Sequence, residues 1–201
     1  MRIYTICTAL LIALLARPTL AKPNIVFIYT DDQAPFAVNA AGDSRFITPN
    51  IDRIFNEGAH LTNSFVTTPV CSPSRVGLIT SRYGSEFGIT DWINPGNEKQ
   101  IGLPKDALTF PQLFQAAGYA TGLFGKWHLG IQNHHHPTQF GYDFFAGIRV
   151  GGCPPKDPVM ETLDGEMKKV EGYTCDIFTD HTIDFIRKNQ DRPFLASLHF
   201  R

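Results

Sequence analysis

Cys71-Ser72-Pro73-Ser74-Arg75 sets a thiol four residues ahead of a guanidinium, with a proline between them. Ser72 is of a type that caps helices, and Pro73 suits a first helical position because its missing N–H would be unpaired there. Val76-Gly77-Leu78-Ile79 then continues an apolar run. Cys71 is therefore expected at the mouth of a helix, where unpaired amides and the helix dipole favour an anion. Arg75, about one turn inside, adds a full positive charge. A thiolate held there is a conceivable nucleophile. The same pentapeptide would also suit a buried or disulfide-bonded cysteine ahead of a helix.

Two more groups of residues could join that chemistry. Asp31 and Asp32 follow directly on the apolar run Asn24 to Tyr29. In open α/β sheets ligands bind beyond the carboxyl ends of strands, and adjacent hard oxygen donors suit Ca²⁺ or Mg²⁺. An acidic turn closing a strand is the plain alternative. Gly125-Lys126-Trp127-His128 likewise follows a run, Tyr119 to Phe124, that reads as a strand. Lys126 and His128 fit either a surface lysine with a turn histidine or a second strand-end contribution to a site. His134-His135-His136 invites a metal, but three consecutive histidines cannot share one face of a helix or strand, so a solvated loop is expected.

The elements that would position these groups alternate along the chain. Asn24 to Tyr29 reads as a strand buried on both faces. Thr48-Pro49 opens a helix that Gly58 stops, and Ala59 to Val66 reads as a strand leading to Cys71. Residues 84–104 are loop-rich. Thr109 caps a helix that ends at Gly118, and residues 151–173 read as a surface excursion rich in Gly, Pro and charge. Phe178, Thr182, Phe185 and Ile186 then share a helical face, and Pro193 to Phe200 reads as a buried strand. No internal repeat is visible. This alternation predicts an α/β layered fold.

Composition narrows the function classes. With 18 Lys and Arg against 19 Asp and Glu, the net charge of −1 leaves no basic footprint for nucleic acid. Met1-Arg2, the apolar stretch from Ile6 to Ala16 and Thr19-Leu20-Ala21 form a signal-peptide pattern over residues 1–21. It is too short for a membrane span, so an exported chain without a stable membrane anchor is expected, periplasmic or secreted. Removal of Cys7 with that segment leaves Cys71, Cys153 and Cys175.

Cys71-Ser72-Pro73-Ser74-Arg75 resembles the signature of the type I sulfatases, a family within the alkaline-phosphatase-like superfamily. Lys22 to Asp32 is similar to that family's opening strand and paired aspartates. Thr48-Pro49-Asn50-Ile51-Asp52 and Gly125-Lys126-Trp127-His128-Leu129-Gly130 resemble later motifs, in the expected order. The resemblance implies a layered α/β/α fold around a mostly parallel sheet. It also implies that Cys71 is converted to Cα-formylglycine by a formylglycine-generating or anaerobic sulfatase-maturating enzyme. Asp31, Asp32 and position 71 would then bind Ca²⁺, or Mg²⁺, while Arg75, Lys126 and His128 serve catalysis. The implied substrate is a sulfate monoester of a carbohydrate or an aryl alcohol. If Cys71 is converted, Cys153 and Cys175 are left to form a disulfide or to stay reduced. Residues 22–201 would form the N-terminal part of a catalytic domain whose further metal and substrate ligands lie beyond position 201, so activity of this portion alone is not expected. Ser81 stands where many members carry glycine. A phosphonate or phosphate ester hydrolase of the same superfamily, and a non-catalytic sulfated-glycan binder, are the rival readings.

Overall fold

The computed structural model describes residues 22–42 and 45–201. The signal-peptide pattern and Cys7 lie outside the described residues. One sheet contains strands β1 (Ile25–Tyr29), β2 (Ala120–Lys126), β3 (Phe144–Ile148), β4 (Val159–Glu161), β5 (Met167–Lys169) and β6 (Phe194–His199). Their order is β1-β6-β2-β3-β4-β5. The pairs β1–β6, β6–β2 and β2–β3 are parallel, and the pairs β3–β4 and β4–β5 are antiparallel. The longer helices are α1 (Pro49–Glu57), α2 (Cys71–Thr80), α3 (Phe110–Ala116) and α4 (Thr174–Lys188).

Alternation along the central strands sends apolar side chains to both faces. Leu123 and Phe145 join Val76 and Ile79 of α2, together with Trp127, Phe140 and Tyr142, in one core. Ala120, Phe124, Ala146 and Ile148 join Ile177, Phe178 and Phe185 of α4 in the other. Helices thus cover both sides of a mostly parallel sheet, as the alternation of elements predicts.

Strand β1 departs from the expectation of burial on both faces. It is the edge of the sheet, and in register with Ala196 and Leu198 its Val26 and Ile28 remain 49% and 52% exposed. Ala59 to Val66 forms no strand, because nothing in the described structure offers it a ladder; Leu61, Phe65 and Val66 are exposed. Within residues 151–173 a hairpin, β4–β5, extends the sheet beyond the expected surface excursion. Thr162 N–H donates to the Glu166 carbonyl and Gly165 N–H to the Thr162 carbonyl, so the turn runs through Asp164-Gly165.

The cap of helix α2 lies two residues before the expected Ser72. Val70 is the N-cap in extended conformation, and Ser74 N–H donates to its carbonyl at 3.0 Å. Pro73 still falls in the first turn, where its missing N–H costs no intrahelical bond. The Ser72 hydroxyl accepts instead from Ile93 N–H at 3.0 Å. Ser81, closing the helix, adopts a left-handed φ of 57°, a conformation that glycine enters without the Cβ penalty.

Candidate active site

Parallel register brings the carboxyl ends of β1, β6, β2 and β3 to one edge of the sheet. Asp31 leaves β1 there, Lys126 ends β2, His199 ends β6, and α2 presents Cys71 and Arg75 from its first two turns. Gly125 makes the close approach possible. It pairs with His199 and Gly147 at a φ of 120°, and a Cβ at this position would collide with the His199 carbonyl.

Asp31 is the hub. Its Oδ2 accepts from Arg75 Nη2 at 2.7 Å and from Lys126 Nζ at 3.0 Å. Arg75 and Lys126 side chains are each 3% exposed, so both charges are held almost out of water. Burial pushes the Asp31 carboxyl up, but the hydrogen bonds and charges of Arg75 and Lys126 outweigh it and hold the group below the usual aspartate range. The thiol completes the cluster: Lys126 Nζ is 3.3 Å from Cys71 Sγ, which lies 3.9 Å from Asp31 Oδ1.

Arg75 is fixed from several sides. Its Nη1 donates to the Lys126 carbonyl at 2.6 Å and approaches His199 Nδ1 at 3.4 Å, while Nη2 also reaches the Phe200 carbonyl at 3.4 Å. A guanidinium can only donate, so in its contact with Arg75 the acceptor role falls to His199 Nδ1. Burial, then the Arg75 charge, push that imidazole down to about 3. Nothing in the apolar strand sequence marks His199; only its register opposite Gly125 reveals it. Tyr29, the last residue of β1, also faces the site. Its hydroxyl hydrogen-bonds Ser74 at 2.9 Å, and its ring lies 5.1 Å from the Arg75 guanidinium carbon.

His128 sits at a left-handed φ of 57°. Its Nε2 lies 3.0 Å from the Ile93 carbonyl, which can only accept, so Nε2 carries the proton. Nδ1 is then a lone pair, buried and without a partner among the described residues. Burial is the main cause that lowers the group to about 4; the Lys126 and Arg75 charges act in the same direction.

Cys71 stands between two cavities. One, of about 270 Å³, is lined by the oxygen-bearing side chains of Thr30, Asp31, Asp32, Gln33 and Ser74. The other, of about 350 Å³, is lined by Trp92, Pro95, His128, Val150, Gly151 and Gly152. In the first, the donors are hard oxygens and fit a divalent cation in kind. The set Asp31, Asp32 and Cys71 is not assembled as a three-ligand cluster, and no three His, Cys, Asp or Glu side chains converge among the described residues. The reason is that Asp31 turns to Arg75 and Lys126, while Asp32, at a φ of 53°, is exposed.

Of the two readings left open for Cys153 and Cys175, the structure has them unbonded: Cys153 is half-buried against the α4-side core, and Cys175 is exposed on α4. Another expectation changes. The histidine run is not a solvated loop. His135 is buried with its carbonyl accepting from Trp127 Nε1 at 2.8 Å, and His136 Nε2 meets Glu161 at 2.8 Å, a carboxylate also held by Arg149.

A protein-family model described as Sulfatase matches residues 23–201. Human steryl-sulfatase is 37% identical over 140 residues, covering 65% of this chain and 24% of that protein. The N-acetylglucosamine-6-O-sulfatase of Bacteroides thetaiotaomicron is 34% identical over 180 residues, covering 89% of this chain and 30% of that protein. The crystal structure of Ps i-CgsB in complex with k-i-k-neocarrahexaose superposes with a TM-score of 0.84 at 28% identity, over 90% of this chain and 45% of that one. The chain therefore spans about a quarter to a third of the length of these curated relatives. Its architecture is that of the alkaline-phosphatase-like α/β fold.

Proposed function

The chain belongs to the sulfatase family, and on that premise we propose that it forms the N-terminal part of a catalytic domain that hydrolyses sulfate monoesters at Cys71. Residues 1–21 would export it, and a formylglycine-generating or anaerobic maturating enzyme would convert the thiol. The observation that carries the reading is the contact of Cys71 Sγ with Lys126 Nζ at 3.3 Å, at the first residue of a helix whose Arg75 is bound to Asp31.

A formylglycine at position 71 would supply a hydrated aldehyde: one hydroxyl would attack sulfur as the bond to the ester oxygen breaks and the alcohol leaves with a proton, and proton loss from the second would re-form the aldehyde as sulfate departs. Asp31 and Asp32 would hold a Ca²⁺ or Mg²⁺ ion that neutralises sulfate oxygens. Lys126 and the amides opening α2 would draw the anionic ester to position 71. Arg75, fixed by Asp31, the Lys126 carbonyl and His199, would keep the local field positive without leaving its place. His128, neutral and with Nδ1 open, would take the proton from the second hydroxyl. A serine at position 71 could be sulfated but has no second hydroxyl with which to expel sulfate.

The test is peptide mass spectrometry across Cys71 after co-expression with a formylglycine-generating system. The mass change of thiol to aldehyde is expected; an unchanged thiol, or a disulfide to Cys153 or Cys175, would sink the reading. Sulfate and phosphate ester turnover, compared in the domain completed beyond residue 201, should favour the sulfate.

A further inference from the structure

The two cavities that meet at Cys71 differ in kind. The Asp31 side is charged, whereas the Trp92 side holds no carboxylate, lysine or arginine. A sulfate monoester has the same asymmetry, with an anionic end and an uncharged alcohol. Trp92 leaves 48% of its surface exposed although its neighbour Ile93 is buried. Both backbone groups of Ile93 are held by the site itself, the N–H by Ser72 and the carbonyl by His128, each at 3.0 Å. The indole is therefore carried on a segment locked to the nucleophile's helix and to the histidine. Opposite, Gly151 lies so close to the imidazole that a Cβ there would sit 2.6 Å from His128 Cε1, so this wall is peptide backbone rather than side chain.

We propose that Trp92 is a stacking platform for the pyranose ring of a sulfated carbohydrate, with the ester's alcohol side in the Trp92 cavity. This rests on the sulfatase reading and deepens it. A pyranose offers a C–H face to a flat ring and a rim of hydroxyls to water and to the Gly151-Gly152 backbone. A cavity of about 350 Å³ is at the low end for ligand sites, room for one ring.

The experiment titrates the full chain calorimetrically with glucose 6-sulfate, phenyl sulfate and inorganic sulfate, for the unaltered protein, Trp92→Ala and Trp92→Phe. Glucose 6-sulfate should bind more tightly than phenyl sulfate. Its affinity should fall about tenfold in Trp92→Ala, the size of one aromatic contact, and recover most of that in Trp92→Phe. Inorganic sulfate should not respond to either substitution. Inorganic sulfate bound as before with no change for glucose 6-sulfate in Trp92→Ala overturns the platform alone, and tighter phenyl sulfate binding overturns the carbohydrate class. Absence of inorganic sulfate binding both in this chain and in the domain completed beyond residue 201 overturns the proposed sulfate-ester hydrolysis, and the platform with it.

Discussion

Helices α1 and α4 carry the same sort of amphipathic pattern and meet opposite conditions. Helix α4 buries Ile177, Phe178 and Phe185 against β2 and β6, whereas α1 buries no residue and leaves Ile54 66% exposed. What holds α1 is polar: Asp52 accepts from Ala40 N–H, Asn39 Nδ2 and Thr48 Oγ1. The pattern of a helix therefore states which face could be buried, and only a neighbour decides whether it is. The candidate site straddles this divide. Asp31 and Asp32 come from the lightly packed side, while Arg75, Lys126 and His128 are set in the dense one.

The comparison can be broken most forcefully at the seam. Arg75→Ala should abolish turnover in the completed domain and destabilise the fold by about 3–5 kcal/mol, because it removes one cation of a buried cluster, leaving Asp31 with Lys126 alone and the Lys126 carbonyl without its donor. Denaturant unfolding beside a sulfate-release assay reads both; a fold of unchanged stability would mean that the cluster is not coupled to the core. Next, Phe178→Ala and Ile54→Ala should separate the two helices, at about 3–5 kcal/mol and within about 0.5 kcal/mol. Equal costs would show that α1 is packed as α4 is, and the contrast would fall.

A further effect is expected from pH, on the dense side. His128 and His199 have folded values of about 4 and about 3, below the ordinary 6.5. The unfolded chain then binds the extra protons, so stability should be flat above about pH 7 and decline as pH falls from 6.5 toward 4. Activity should fall over the acid end of the same range as His128 protonates. Melting temperatures between pH 4 and 8 check this, and His128→Gln should flatten the slope while its loss of activity is scored separately.

Much of the fold was legible because its signals are local. Tyr119 to Phe124, Pro193 to Phe200 and the Phe178–Ile186 face are periodic runs, and strand-end placement pointed to Asp31, Lys126 and His128. What escaped depends on partners far along the chain. Leu61 to Val66 has strand composition but no ladder, and Ser72 has cap chemistry that Ile93 claims first. His199 sits in an apolar strand and matters only because β6 lies beside β2. The β4–β5 hairpin did leave a signal, Asp164-Gly165 between short runs with strand formers, which is a hairpin dipeptide.

The pairing of β1 with β6 also sets an order of events. Ile25 cannot find Leu195, nor Arg75 find His199, until nearly the whole stretch has been synthesised. About 130 residues must follow Cys71 out of the ribosome first, which at ordinary elongation rates is on the order of ten seconds. For that interval the thiol rides on an open chain, free of the strand that later backs its arginine. A catalyst that had to reach the Cys71 side chain would meet its least hindered target before the sheet closes, so the proposed maturation would run in competition with the speed of elongation.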